Sequence, residues 1–199
     1  MKPILSYEYL QFKSTTYKST CYIARYFLIF CYYIYTTIYP DCYNYIHELT
    51  LNKNRIKALE DVLHTDIPLT QHIGISVNEL TDTSLSLFAP LENNVNHKST
   101  AFGGSIYSVS VLTGWGLIYS LLQQYDLSGH IVIQESNTKF ISPITTDLIT
   151  QCCFDSTEQY EKFLIMYKRK GIARIRLESK ITCAGKNAVL FSGTYVVHR

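Results

Sequence analysis

The sequence lacks the spacings by which metal and cofactor sites usually announce themselves. Its six cysteines, Cys21, Cys31, Cys42, Cys152, Cys153 and Cys183, form no CxxC pair, and its six histidines form no HxxxH or HExxH. Structural and catalytic zinc sites need ligands at such spacings, so no metal centre is expected. There is no P-loop, no GxGxxG and no GxSxG elbow. Those absences remove the common phosphate-binding and serine-hydrolase signatures, and no cofactor is implied. An excess of one charge is missing as well: 18 Lys and Arg stand against 16 Asp and Glu. A balance this close to neutral gives no reason to expect a nucleic-acid partner. The cysteines are too sparse for a disulfide framework, and adjacent Cys152 and Cys153 point to opposite faces of any strand. Free thiols in a reducing compartment, the cytoplasm, are the expectation.

What is present divides the 199 residues unevenly. Residues 1–50 are rich in tyrosine and apolar side chains. Within them Cys21–Tyr39 is broken by one charge, Arg25, and the uncharged run from Tyr26 to Tyr39 is short for a membrane span of roughly 20 residues. A membrane contact through residues 21–39 is one reading; an extension outside the folded domain is the other. Residues 51–199 read as an ordinary soluble domain. Ile56, Leu59, Val62 and Leu63 recur at helical spacing and predict a helix over 53–64, ended by Pro68. Ile73, Ile75 and Val77, then Leu85, Leu87 and Ala89, predict two strands around the turn LTDT. Later strands are predicted over GHIVIQESNTKFISP, DLITQCCF, IARIRLESKITC and AVLFSGTYVVHR. In the first of these Ile131 and Ile133 alternate against Val132, Gln134 and Ser136. The segment STEQYEKFLIMYKRKG is a charged connection, helical only in part. Runs of strands with one segregated helix indicate an α+β class.

That helix lies between Lys98 and Asp126, a stretch without a single charge. Ile106, Val109, Val111, Leu112, Trp115, Leu117, Ile118, Leu121 and Leu122 cover every side of it, so it must be buried on every side. Its length would also suit a bilayer. But Ser105, Ser108, Ser110, Thr113 and Ser120 dilute it, and strands that must pair flank it on both sides. An antiparallel sheet curled around the helix satisfies both facts. Gly103 and Gly104 then open the helix, where backbone N–H groups lack intrahelical partners. Bare backbone there lets a ligand approach closely, and the helix dipole favours developing negative charge. A carbonyl oxygen acquiring negative charge would be stabilised at that place as in an oxyanion hole.

The stretch NHKSTAFGGSIYSVSVLTGWGLIYSLL, with ESNTKFISPITTDL and FSGTYVV, resembles the hotdog-fold thioesterases. It is most similar to the thioesterase domain at the C-terminal end of some bacterial acetyltransferase-like proteins, over about residues 55–199. The resemblance implies a six-stranded antiparallel sheet around a central helix. It also implies an acyl-CoA or acyl-carrier-protein thioester as substrate, and a homodimer or dimer of dimers. By the same resemblance Gly103 polarises the carbonyl, and Asn96 holds the loop or contacts the attacking water; as a turn residue Asn96 has an alternative role. Many relatives have His where this chain has Phe102, and a carboxylate about nine residues on, where this chain has Val111. With no carboxylate on the helix, Glu135 is the expected base, on a strand that the resemblance places near the partner subunit's helix mouth. Phe102, Gly104, His97, Ser136, Asn137 and Thr113 complete the expected substrate site, while Tyr107 and Trp115 are expected in the core. Three rival readings are a non-catalytic acyl-thioester-binding protein, a protein working through a membrane-attached N-terminus, and a dehydratase. The last would need a His, Asp or Glu at the helix mouth, which is absent.

Overall fold

A computed structural model describes residues 40–199. The expected membrane contact at Cys21–Tyr39 lies outside the described residues. The chain divides into two compact units, Met1–Leu49 and Thr50–Arg199, and the second holds every strand among the described residues. In chain order come α1 (Pro40–Asp66), α2 (Leu69–Ile73), β1 (Ser76–Leu80), β2 (Ser84–Ala89), a 3-10 turn (Leu91–Asn94) and α3 (Gly103–Gln124). Then follow β3 (His130–Phe140), β4 (Leu148–Cys153), α4 (Thr157–Lys170), β5 (Ile172–Cys183) and β6 (Lys186–His198). The six strands form one sheet in the order β1-β2-β4-β5-β6-β3, every pairing antiparallel. Helix α3 packs against β2, β3, β4, β5 and β6. This is the expected hotdog architecture, in the α+β class.

The all-round apolar character of α3 is thereby explained. Ile106, Val109, Leu112, Leu117, Ile118, Leu121 and Leu122 are all buried, each contributing about 1.5–3 kcal/mol on transfer from water. By length and hydropathy α3 would suit a membrane, yet 67% of its most apolar window is buried inside the fold. The sheet meets it closely because of a glycine. Fully buried Tyr195 of β6 lies where a side chain at Gly114 would go, and its hydroxyl donates to the Val111 carbonyl at 2.8 Å. On another side Leu59 of α1 and Leu85 of β2 press against Gly116. Helix α1 is fastened by Leu59 and Leu63 in the core, by an Arg55–Asp82 ion pair at 2.7 Å, and by Glu60 Oε1 accepting the Val77 N–H at 2.7 Å.

Three elements differ from the sequence expectation. Helix α1 extends well beyond 53–64 at its N-terminal end. Ile73 belongs to α2, which Gly74 terminates in the left-handed region at φ 74°, so the first strand starts only at Ser76. The charged connection is a full 14-residue helix, α4. Its Ser156 cap accepts the Gln159 N–H, Gly171 closes it at φ 68°, and Lys168, Arg169 and Lys170 complement its C-terminal dipole. Phe163, Leu164 and Tyr167 form its buried stripe, and the Tyr167 hydroxyl donates to the Ser128 carbonyl.

Cys152, Cys153 and Cys183 are free thiols. Cys152 faces inward, and burial pushes its thiol up to about 12. Cys153 is exposed, and Cys183 is partly exposed with its thiol lowered, first by a backbone hydrogen bond from Thr145. Iodoacetamide at pH 8 should therefore alkylate Cys153 and Cys183 in the native protein and reach Cys152 only on unfolding, as read by peptide mass mapping. A folded-state pKa raised above the ordinary value near 9 also means that this contribution to stability is lost as pH rises past about 9.

Candidate active site

The mouth of α3 is held open by a rigid loop. Buried Asn94 donates its side-chain amide to the carbonyls of Ile73 and Pro90, at 2.8 and 2.7 Å. Its own carbonyl accepts the Phe102 N–H at 2.7 Å, and Val95 bridges to Ala101, whose N–H reaches the Ile144 carbonyl at 2.8 Å. Asn96 braces the loop from within. Its Oδ1 accepts the Lys98 and Thr100 N–H groups, and its Nδ2 donates to Thr100 Oγ1 and the Ala101 carbonyl. These bonds occupy both ends of the Asn96 amide, which favours the loop-holding role over contact with water.

Phe102 is the N-cap of α3, and no side chain caps the helix. Among the described residues no acceptor meets the N–H groups of Gly103, Gly104 or Ser105. Unpaired donors at a helix start carry the positive end of its dipole. Gly103 does not have a positive φ, and a Cβ added to it would meet only the Phe140 ring, at an ordinary 3.8 Å. A Cβ on Gly104 would collide with the ring of Phe102. Phe102 and Phe140 are each 55% exposed, unusually open for phenylalanine, and they flank the bare backbone as apolar walls. Tyr107 stands one helical turn beyond Gly103 and is partly exposed. Its hydroxyl lies 2.9 Å from Ser136 Oγ on β3, and its ring meets Phe191 edge-on.

The remaining expected residues fall in other places. Glu135 is not at the mouth of its own chain's α3. A β-bulge leaves Gln134 without a register partner, so that Ile133 opposes Tyr195 while Glu135 opposes Thr194. Alternation reverses there: Ile131 and Ile133 face α3, Glu135 turns to the outer face of the sheet, and Ser136 and Thr138 turn inward. The expected grouping of Ser136 with Val132 and Gln134 is corrected in the same way. Asn137 also faces outward, where with Lys139, Glu178 and Lys180 it borders a groove of about 570 Å³. Thr113 is fully buried and spends its hydroxyl on the Val109 carbonyl at 2.7 Å, which removes it from any substrate site. His97 is exposed on the loop. Trp115 is half-buried and stacks on Tyr119, whereas Tyr107, expected in the core, is 38% exposed. Among the described residues no group of three His, Cys, Asp or Glu side chains could hold a metal. Three contributors escaped the sequence reading: Asn94, Phe140 and Tyr107. Only Tyr107 carried a legible signal, its spacing of four from Gly103.

A curled antiparallel sheet around a buried helix, with that helix opening on uncapped glycines, defines the hotdog class to which thioesterases belong. Within that class the chain belongs to the family described as "Putative thioesterase (yiiD_Cterm)", whose pattern matches residues 56–199. It is similar to a crystal structure of a Chlorobaculum tepidum protein of unknown function, at 31% identity and TM-score 0.72, over 74% of this chain and 96% of that one. A "putative thioesterase" from Shewanella oneidensis is similar at 29% identity and TM-score 0.67, over 74% of this chain and 99% of that one. A Pseudomonas aeruginosa protein at 18% identity and TM-score 0.62, over 71% of this chain and 94% of that one, shares the fold. The family supports acyl-thioester hydrolysis as the general activity.

Proposed function

We propose that the protein hydrolyses an acyl thioester of coenzyme A or an acyl-carrier protein, with the carbonyl oxygen received by the N–H groups of Gly103 and Gly104. The observation that carries this reading is the uncapped N-terminus of α3, bare of side chains and free of acceptors, inside a member of a thioesterase family. Such donors bind an oxyanion more tightly than the ground-state carbonyl, so they act on the rate. Phe102, Phe140 and Tyr107 offer an apolar lining for the acyl group at the mouth. The free thiols suit a reducing cytoplasm. The test is a hydrolysis screen over acyl-CoA and acyl-carrier-protein thioesters of graded chain length, with free thiol as the readout. Steady turnover that depends on chain length supports the reading, and no turnover on any of them ends it.

A second reading, a non-catalytic acyl-thioester-binding protein, is favoured by one observation. Position 111 is Val, and Glu135 lies on the far side of the sheet. Tight binding of acyl-CoA without release of thiol would support it.

The working unit in this proposal is a homodimer, itself able to pair as a dimer of dimers. Strand β3 ends the sheet, runs 11 residues, and exposes Val132 and Phe140, with Ile141 just beyond. Such an edge invites pairing with another strand, and a second β3 would satisfy it. Sedimentation equilibrium should return twice the 22.9 kDa chain mass. A stable monomer at micromolar concentration would rule the pairing out.

A further inference from the structure

Resting on the thioesterase reading, we infer that the hydroxyl pair Tyr107–Ser136 holds the attacking water over the thioester carbonyl at the mouth of α3. Four observations converge. Tyr107 stands four residues after Gly103, so both lie on one face of the helix, and helical side chains lean toward the N-terminus. That lean directs its ring toward the turn that Gly103 opens. Ser136 reaches it only because the bulge at Gln134 turns Ser136 inward, and the two hydroxyl oxygens lie 2.9 Å apart. Phe140 lies four residues further along β3, on the same face as Ser136, and its ring borders Gly103 at the distance of an ordinary contact. Three other hydroxyls of this helix are engaged locally: Ser108 on the Gly104 carbonyl, Ser110 on Ile106, Thr113 on Val109.

Two hydroxyls that share one hydrogen bond keep one O–H and several lone pairs for a third molecule. A water that donates one proton to this pair has its own lone pair aimed away from it. The water oxygen then bonds to the carbonyl carbon while the C=O electron pair moves onto oxygen, received by the Gly103 and Gly104 N–H groups. The pair returns, the C–S bond breaks, and the departing sulfur takes a proton that came from the water. The carboxylic acid releases the remaining proton to solvent. The hydroxyls orient the nucleophile and finish unchanged, so the step needs no carboxylate at position 111.

The test uses the full chain and three variants, Tyr107→Phe, Ser136→Ala and the double substitution, on the best thioester from the screen. Each single variant is expected to lose about 10²-fold in kcat with KM moved by less than about twofold, because positioning acts on the reacting step. The double variant should be no worse than the poorer single one, since the two hydroxyls work as a unit. Tyr107→Phe keeps the ring against Phe191, so its melting temperature should match the wild type. If Tyr107→Phe does not fold, Ser136→Ala carries the test. A wild-type kcat in the folded variants, beside an inactive Gly103→Val, overturns the inference and leaves the thioesterase reading standing. A rise in KM with kcat unchanged assigns the pair to substrate binding and also overturns it. A wild-type protein that hydrolyses no thioester brings down both.

Discussion

Gly103→Val is expected to fold like the wild type and to lose turnover by about 10²–10³-fold, the usual cost of one oxyanion donor. The fold gives no reason for glycine at this position. Its φ is not positive, and an added Cβ would touch only the Phe140 ring at 3.8 Å. What a valine there fills is the space over the free N–H groups, where the carbonyl oxygen must come. In helix propensity valine is no worse than the glycine it replaces, so melting should hardly move. The measurement is kcat/KM beside a circular-dichroism melt. A folded variant that hydrolyses thioester at the wild-type rate would place the site elsewhere.

Gly114→Val is expected to do the opposite. Eleven residues along the same helix, the space beside the backbone is filled by the Tyr195 ring. That ring is fully buried, and its hydroxyl is tied to the Val111 carbonyl at 2.8 Å, so it has nowhere to move. Overpacking of this kind costs about 3 kcal/mol, and the lost hydrogen bond adds about 1 kcal/mol. For a domain of this size the melting temperature should drop by roughly 10 °C. Any activity that survives at low temperature should show an ordinary KM. An unchanged melt would mean that α3 does not pack on β6 as described. The two glycines thus separate by their surroundings, one open for a ligand and one closed by a neighbour.

The parts of this protein that were legible in its sequence are those governed by periodicity over many residues. A 22-residue helix with no charge and no polar face must be buried on every side, and the strands flanking it point to a sheet wrapped around it. The alternation of β5, with Ala173, Ile175, Leu177 and Ile181 inward, was readable because nothing interrupts it there. The outward face of Glu135 was not readable because one unpaired residue, Gln134, reverses every side chain after it, and a bulge leaves no mark in composition. Helix α4 was underestimated because its many charges outweighed a short stripe of Phe163, Leu164 and Tyr167. Tyr107 was assigned to the core by its type. Its exposure is set by β3 and the helix mouth, which come together only in the folded chain. The loop-holding role of Asn94 likewise depends on Ile73, which adjoins it only once the chain has turned.

The central claim is that a thioester carbonyl rests on the bare N–H groups at the start of α3, and infrared spectroscopy addresses it most directly. The probe is a ketone analogue of the best acyl-CoA, with CH₂ in place of sulfur and ¹³C at the carbonyl, which binds but cannot be hydrolysed. In the wild-type complex the ¹³C=O stretch should move to lower frequency than in water, because fixed donors aligned with a helix dipole polarise it more than solvent does. In Gly103→Val the bound analogue should lose that shift. A bound carbonyl that absorbs at its aqueous frequency in the wild type, or that is shifted equally in both proteins, would contradict the account.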